Sequence, residues 1–196
     1  MKVIVLDHGA GNLHSLSGAL TALGADVRIE SDGVRACSGN ALVIPGVGGF
    51  APVAARLESS RDGLREALSS GVPCLAICLG MQMLFGNSEE GEGSGLGLIA
   101  GESTRVKAER IPHMGWNRVD GNPMLPDNSL MYFAHSFVVR PVDAQVVQGW
   151  TTYDADRFPA IVRTANTLGV QFHPEKSGAV GRKFLAAWLE EAAACV

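Results

Sequence analysis

No cluster of lysine or arginine occurs anywhere in this chain, and its formal net charge is −4. That balance disfavours nucleic acid or an anionic membrane surface as a partner. Long apolar runs are missing as well. The longest are as short as Cys74 to Leu79, so no transmembrane helix is expected. The N-terminal run Lys2 to Leu6 meets Asp7 before a signal-peptide core could form, which points to the cytoplasm. The four cysteines, Cys37, Cys74, Cys78 and Cys195, make no CxxC pair and no disulfide ladder, so reduced thiols are expected. Cys74 and Cys78 lack the matching histidines of a zinc site, and no metal is expected. Internal repeats, low-complexity stretches and linkers are also absent, and residues 1–196 read as a single domain.

What is present is apolar residues, 46% of the chain, and glycine, 24 of 196 residues. The first suffices for a substantial core. The second exceeds the usual ~7% and implies many tight turns or close backbone approaches. The first half alternates strand and helix: strands at Lys2–Leu6, Ala25–Ile29, Ala41–Ile44 and Pro73–Ile77, and a helix at Leu13–Leu23 with leucines three and four apart and Gly24 ending it. Phe50–Ser70 reads as helix in two pieces around Gly63, and Met81–Phe85 as the start of another. Such alternation argues for βαβ units on a parallel sheet. After a glycine-rich loop at Gly86–Gly97 come short runs that read as antiparallel strands: Arg105–Val106, Trp116–Val119, Leu130–Phe133, Phe137–Val139, Gln145–Trp150, Ala160–Arg163 and Thr167–Phe172. A helix at Val180–Ala192 closes the chain. The expected fold is α/β, an open, mostly parallel sheet flanked by helices with an added antiparallel region.

Chemistry concentrates in two places. An apolar strand ends on Cys78, with Gly80 and a helix-forming segment directly after. A thiol on such a strand-to-helix turn has the setting of a nucleophile elbow, and the helix N-terminus favours its thiolate. Nearly a hundred residues later stands His173-Pro174-Glu175. His173 can take the Cys78 proton and return it to a leaving amine. In an extended segment residues i and i+2 point the same way, so Glu175 can orient the ring. Acyl transfer also needs oxyanion donors. The Leu79 amide is one candidate, and the turn Gly46-Val47-Gly48-Gly49 supplies others, its glycines allowing an N–H to approach a ligand closely. Alone, Cys78 reads equally as a small buried residue, His-Pro-Glu as a surface turn, and the glycine turn as any βα loop. It lacks the GK[ST] ending of a phosphate loop.

Ala76-Ile77-Cys78-Leu79-Gly80-Met81-Gln82 and His173-Pro174-Glu175 together resemble the class I (triad) glutamine amidotransferases, whose elbow reads roughly G-x-C-x-G-x-Q. Ala76 departs from the usual glycine and adds one methyl beside the turn. Gly9-Ala10-Gly11-Asn12-Leu13, Pro45-Gly46-Val47-Gly48, Pro112-His113-Met114-Gly115-Trp116-Asn117, Ala134-His135-Ser136 and Gly169 to Ser177 are similar to the glutaminase subunits of imidazole glycerol phosphate synthases. The resemblance implies a flavodoxin-like class I amidotransferase fold. It also implies glutamine hydrolysis through a Cys78 thioester, with no cofactor, and delivery of ammonia to a separate (β/α)8 barrel cyclase subunit in histidine biosynthesis. By position it implies Cys78, His173 and Glu175 as triad, Gln82, Gly48 and Ser136 as substrate contacts, and Val47, Gly48 and Leu79 around the oxyanion. Asn12, Met114, Trp116 and Lys176 match positions near the cyclase. Gln82 reads alternatively as an exposed helix residue, Ser136 as a strand-edge hydroxyl, Trp116 as core and Lys176 as a solvated charge. His8, His14, His113 and His135 receive no role. The glycines beside Val47 would let a peptide rotate to complete the oxyanion hole when the partner is occupied. Two other classes fit less well. A non-catalytic partner subunit predicts a broken triad. A thiol hydrolase or redox sensor would need neither Gln82 nor the Pro-His-Met-Gly-Trp-Asn string.

Overall fold

A computed structural model describes residues 1–9, 11–126 and 128–195. Ala10, inside the Gly9-Ala10-Gly11-Asn12-Leu13 string, lies outside the described residues. Its elements are β1 (Lys2–Leu6), α1 (Leu13–Ala22), β2 (Asp26–Glu30), α2 (Gly33–Ala36), β3 (Ala41–Ile44), α3 (Phe50–Leu57), α4 (Arg61–Ser69), β4 (Cys74–Ile77), α5 (Leu79–Gln82), β5 (Phe85–Ser88), β6 (Ile99–Arg105), β7 (His113–Val119), β8 (Ser129–His135), β9 (Phe137–Pro141), β10 (Val147–Tyr153), β11 (Asp156–Thr164), β12 (Thr167–Val170) and α6 (Gly178–Ala194). Among the described residues, seven strands form the central sheet in the order β10-β11-β12-β4-β3-β1-β2. Its β12-β4-β3-β1-β2 part is parallel, and β10 and β11 extend it antiparallel. β5, β6 and β9 form a second sheet, and β7 and β8 a two-stranded ribbon. No helix in the described residues is long and apolar enough to cross a membrane.

β3 (ALVI), β4 (CLAI) and β12 (TLGV) are buried at every position, as central parallel strands covered on both faces must be. Two apolar clusters fill the two sides of the sheet. Leu16, Leu20, Phe172, Phe184 and Trp188 belong to one. Phe50, Val53, Leu64, Leu68 and Phe85 belong to the other. Asn12 caps α1, its Oδ1 accepting from the Ser15 amide at 3.3 Å, and Gly24 follows the helix at φ +89°.

Four expectations are corrected. The break in the Phe50–Ser70 helical stretch falls at residues 58–60, not at Gly63. Gly63 lies inside α4, where a Cβ would press on the Val34 side chain; the glycine serves close packing against α2. The Met81–Phe85 segment does not start a long helix: Met81 and Gln82 close the short α5, and Phe85 enters β5 parallel to β6. The returning chain draws it there, through Leu96 N–H to Met83 O and Gly95 N–H to Gly86 O. The second-half strands are not all antiparallel, because β12 enters the central sheet parallel to β4. Finally, the residues from Pro174 to Lys176 form a 3₁₀ turn rather than an extended segment.

The parallel ladders align the strand ends that matter. Ile44 pairs with Ala76, and Val170 with Ile77. The loop after β3, the elbow after β4 and the segment after β12 therefore meet at one edge, where α/β sheets place their sites. The first two touch backbone to backbone. A Cβ on Gly46 would collide with Ile77 O and Leu79 N, and one on Gly80 with Ile44 O. Gly80→Ala should therefore cost roughly 1–3 kcal/mol in urea unfolding. Gly86→Ala, where a Cβ meets nothing, should change stability by less than about 0.5 kcal/mol. Equal stabilities would show that the elbow contact is not tight.

Candidate active site

Cys78 follows β4 with φ 52° and ψ −106°, a conformation that a residue with a Cβ adopts only when its surroundings force it. Its N–H donates to Val170 O at 2.6 Å, and its own C=O accepts from Gln82 N–H at 3.2 Å. One ladder thus grips the residue from behind, and α5 begins immediately ahead of it. The side chain projects into a cavity of about 130 Å³ lined by Gly46, Val47, Gly48, Leu79, Gln82, Glu90, Ser136, His173 and Lys176, among others.

His173 and Glu175 come together as a pair. The Glu175 Oε1 accepts from His173 Nδ1 at 2.9 Å, with both side chains buried. Its Oε2 is buried without a partner, so the carboxylate's one hydrogen bond goes to the ring. Burial works against a charged ring at His173. The Cys78 sulfur and the Glu175 carboxylate outweigh it and raise the imidazolium pKa to about 10. The pair lies beside Cys78 at the same cavity, His173 among its lining residues.

The backbone of His173 is pinned from the ribbon. Its N–H donates to Tyr132 O at 2.8 Å. Ser177 Oγ donates to His173 O at 2.6 Å and accepts from Tyr132 N–H at 2.9 Å. Ser177, at 1% exposure, is a structural clamp; in the sequence it only closes the Gly169 to Ser177 string, with no role assigned to it.

Gln82 is not the exposed helix residue that its position allowed. It is 3% exposed, and its Nε2 donates to Phe137 O at 3.0 Å and to Gln171 Oε1 at 3.3 Å. Both amide hydrogens are committed, which leaves Oε1 to accept from a ligand. Gly48, at φ +108°, and Val47 form the exposed lip of the cavity, and Ser136 lies on its wall between β8 and β9. Glu90 was missed. It holds the Phe50 amide through Oε2 at 3.0 Å, and burial raises its carboxyl pKa. Its neighbours in sequence, the polar Gly86–Gly97 loop, gave no sign that it turns back to the cavity.

Met114, Trp116 and Asn12 lie outside the cavity. β7 alternates: His113 and Val119 are buried, whereas Met114 and Trp116 are 64% and 55% exposed. The cross-strand register puts Met114 opposite Ala134, Trp116 opposite Tyr132, and Arg118 opposite Leu130, itself exposed. One face of the ribbon is thus an apolar surface patch, and the core reading of Trp116 is set aside. Lys176 is exposed at the cavity edge.

The inner face of the ribbon carries His113 and His135. Phe137 O can only accept, so His135 donates to it from Nδ1 at 3.0 Å, and its Nε2 accepts from His113 Nδ1 at 3.0 Å. Asn117 then donates to His113 Nε2 at 3.3 Å. Both rings are neutral: burial pushes His113 down to about 4, and burial with the neighbouring His113 takes His135 to about 3. His8 is buried too, donating from Nε2 to Pro45 O at 2.7 Å at the root of the glycine turn. No group of metal-ligating side chains occurs among the described residues.

The family model for glutamine amidotransferase class-I matches residues 4–191. The chain is 41% identical over 200 residues to an imidazole glycerol phosphate synthase subunit HisH of Lactococcus lactis, covering 97% of this chain and 98% of that one. It is 38% identical over 193 residues to the HisH of Sulfolobus acidocaldarius, covering 94% and 96%. Among solved structures, a crystal structure of a glutamine amidotransferase superposes with TM-score 0.79 at 20% identity, covering 97% of this chain and 98% of that one. That likeness supports the fold.

The histidine pair yields an acid-stability prediction. Both folded-state pKa values lie below the ordinary 6.5, so the stability of the neutral rings is full above pH 6.5 and falls away as pH drops toward 4 and below. Each ring should contribute a slope of up to about 1.4 kcal/mol per pH unit in urea unfolding. His113→Phe, which can keep the stack on Phe133 and Tyr153, should remove about one proton's worth of that slope. An unchanged slope would mean that the native ring is charged.

Proposed function

This chain belongs to the glutamine amidotransferase class-I family, among the HisH glutaminase subunits of imidazole glycerol phosphate synthase, and on that premise we propose how its residues release ammonia and where the ammonia goes. It is an enzyme of histidine biosynthesis. The observation that carries the mechanism is that Cys78 and His173 line one small cavity, with Glu175 bound to the far side of the His173 ring.

The cavity suits a zwitterionic amino acid. Lys176 lines its edge with a fixed positive charge, while Glu90 and the Gln82 carbonyl oxygen offer acceptors for an ammonium group. Glutamine enters with its side-chain amide toward Cys78. The sulfur attacks the amide carbon, and the developing oxyanion is met by the Leu79 N–H and by a peptide of the Val47-Gly48 turn. The His173 imidazolium, held by Glu175, gives its proton to the departing nitrogen. A γ-glutamyl thioester and ammonia result. His173, now neutral, takes a proton from water as that water attacks the thioester. Glutamate leaves, and the sulfur and the imidazolium are restored. Ser136 contributes its hydroxyl to the cavity wall.

The exposed Met114 and Trp116 on the ribbon, with Asn12 and Lys176, form the surface that receives a (β/α)8 barrel cyclase subunit. There the ammonia reacts with a phosphoribulosyl formimino-carboxamide nucleotide, giving imidazole glycerol phosphate and an aminoimidazole carboxamide ribotide. The Val47-Gly48 peptide turns into the oxyanion position when the cyclase site is filled. The glutaminase is then slow alone and fast in the complex.

Several outcomes follow. A glutamine-like electrophile should label Cys78, and excess glutamine should protect it; label uptake unaffected by glutamine would sink the amidotransferase mechanism. Cys78→Ala should abolish glutaminase activity, and Glu175→Gln should lower kcat by roughly 10²–10⁴-fold, the range of a disabled general acid–base. Hydrolysis by the isolated chain as fast as in a ligand-filled complex with the cyclase would end the gating proposal.

A further inference from the structure

Gln171 lies two residues before His173, is fully buried, and has no part in the triad. Its side chain nevertheless ends at the reacting atom: Nε2 stands 3.4 Å from Cys78 Sγ. The orientation of its carboxamide follows from its neighbours. Phe137 O accepts only, so the group of Gln82 facing it at 3.0 Å is Nε2. The same Nε2 faces Gln171 at 3.3 Å and must find an oxygen there. Gln171 therefore turns its oxygen to Gln82 and its N–H to the sulfur. The backbone is held as firmly, by Gln171 N–H donating to Ala160 O at 2.9 Å.

We propose that Gln171 is a catalytic residue, a fixed N–H donor to the Cys78 sulfur that holds it as a hydrogen-bond acceptor in line for attack. The proposal rests on the reading of Cys78 as the nucleophile. A donor aimed at sulfur favours thiolate over thiol, because only the thiolate accepts strongly. His173 also hydrogen-bonds the sulfur, but as the group that exchanges a proton with it; the 3.9 Å approach of Cys78 Sγ to Ala134 O offers an acceptor, which suits the thiol instead. His173 balances the charge of the thiolate, and Gln171 fixes its direction. Because residues 171 and 173 flank Phe172, whose ring is buried in the core, one short segment delivers both the base and the donor.

The test compares the full chain with Gln171→Met, similar in size but without a donor. The pH midpoint of Cys78 alkylation by iodoacetamide should rise by about one unit, the scale of one hydrogen bond to a charged group. Glutamine turnover with the cyclase present should fall by up to about tenfold at pH values below the alkylation midpoint and recover as pH rises above it. KM should change by less than about twofold. The other titratable groups lining the cavity, His173, His135, Glu90 and Lys176, are unchanged in the variant, as is Glu175 behind His173, so the shift reports the lost donor. In the unmodified protein, the assigned Gln171 side-chain amide proton should move with the alkylation midpoint, and that movement should vanish in Cys78→Ala; this reading holds if Gln171→Met fails to fold. An unshifted midpoint with a pH-independent loss of turnover, or an amide signal blind to Cys78, would overturn the proposal. If glutamine fails to protect Cys78 in the unmodified protein, the nucleophile reading itself falls, which is a separate result.

Discussion

The parallel ladder between β4 and β12 is the constraint on which the site depends. Val170 lies opposite Ile77, and the next donor along, Cys78 N–H, still reaches Val170 O. That bond fixes where β4 stops being a strand. It also sets His173 three residues beyond the same point, so two segments separated by more than ninety residues arrive at one sheet edge in register. A slip of one residue would turn every side chain of β12 to the opposite face and carry Gln171 and His173 away from the sulfur. The positive φ of Cys78 is sustained because Gly46 and Gly80 let backbone pack on backbone around it.

Polar groups around this edge are joined rather than scattered. Two chains of donors converge on the C=O of Phe137: Asn117, His113 and His135 from the ribbon, and Gln82 from α5, which also supports Gln171. Buried hydrogen bonds of this kind are costly to break singly, since each loss strands a partner. The inner face of the ribbon is thereby tied to Cys78, and its backbone holds His173 through Tyr132 and Ser177. Its outer face presents Met114, Trp116 and Leu130 to solvent. A partner seated there would press on the same ribbon that positions His173. This contact is the physical route by which the proposed cyclase partner would set the proposed glutaminase rate.

Much of this was legible from residue patterns. The strand-helix alternation of the first half located β1, α1, β3 and β4 nearly to the residue, because apolar runs bounded by glycine and proline are local signals. Local signals failed where long-range pairing decided. Phe85 reads as helix by propensity, yet the chain returning at Gly95 and Leu96 draws it into a strand. Gly63 reads as a breaker, yet it accommodates Val34. The proximity of Glu175 to His173 was expected from an extended segment and is achieved by a 3₁₀ turn. Glu90 carried no distinguishing pattern, and Gln171 and Ser177 stood inside the Gly169 to Ser177 string without a role of their own, since a polar residue shows its role only when its partners are in place.

The sequence by itself determined the chemistry on offer: a thiol before a glycine-flanked helix start, a histidine beside a carboxylate, a turn rich in backbone donors, and too little positive charge to seek nucleic acid. Those are properties of short stretches, readable because each depends on neighbours in the chain. Tertiary structure alone decided which way each group faces. It buried both amide hydrogens of Gln82, aimed Gln171 at sulfur, and made neutral partners of His113 and His135. It also turned Trp116 outward. The reason is that hydrogen-bond direction, desolvation and strand register are set by partners up to ninety-odd residues away, and no local pattern encodes them.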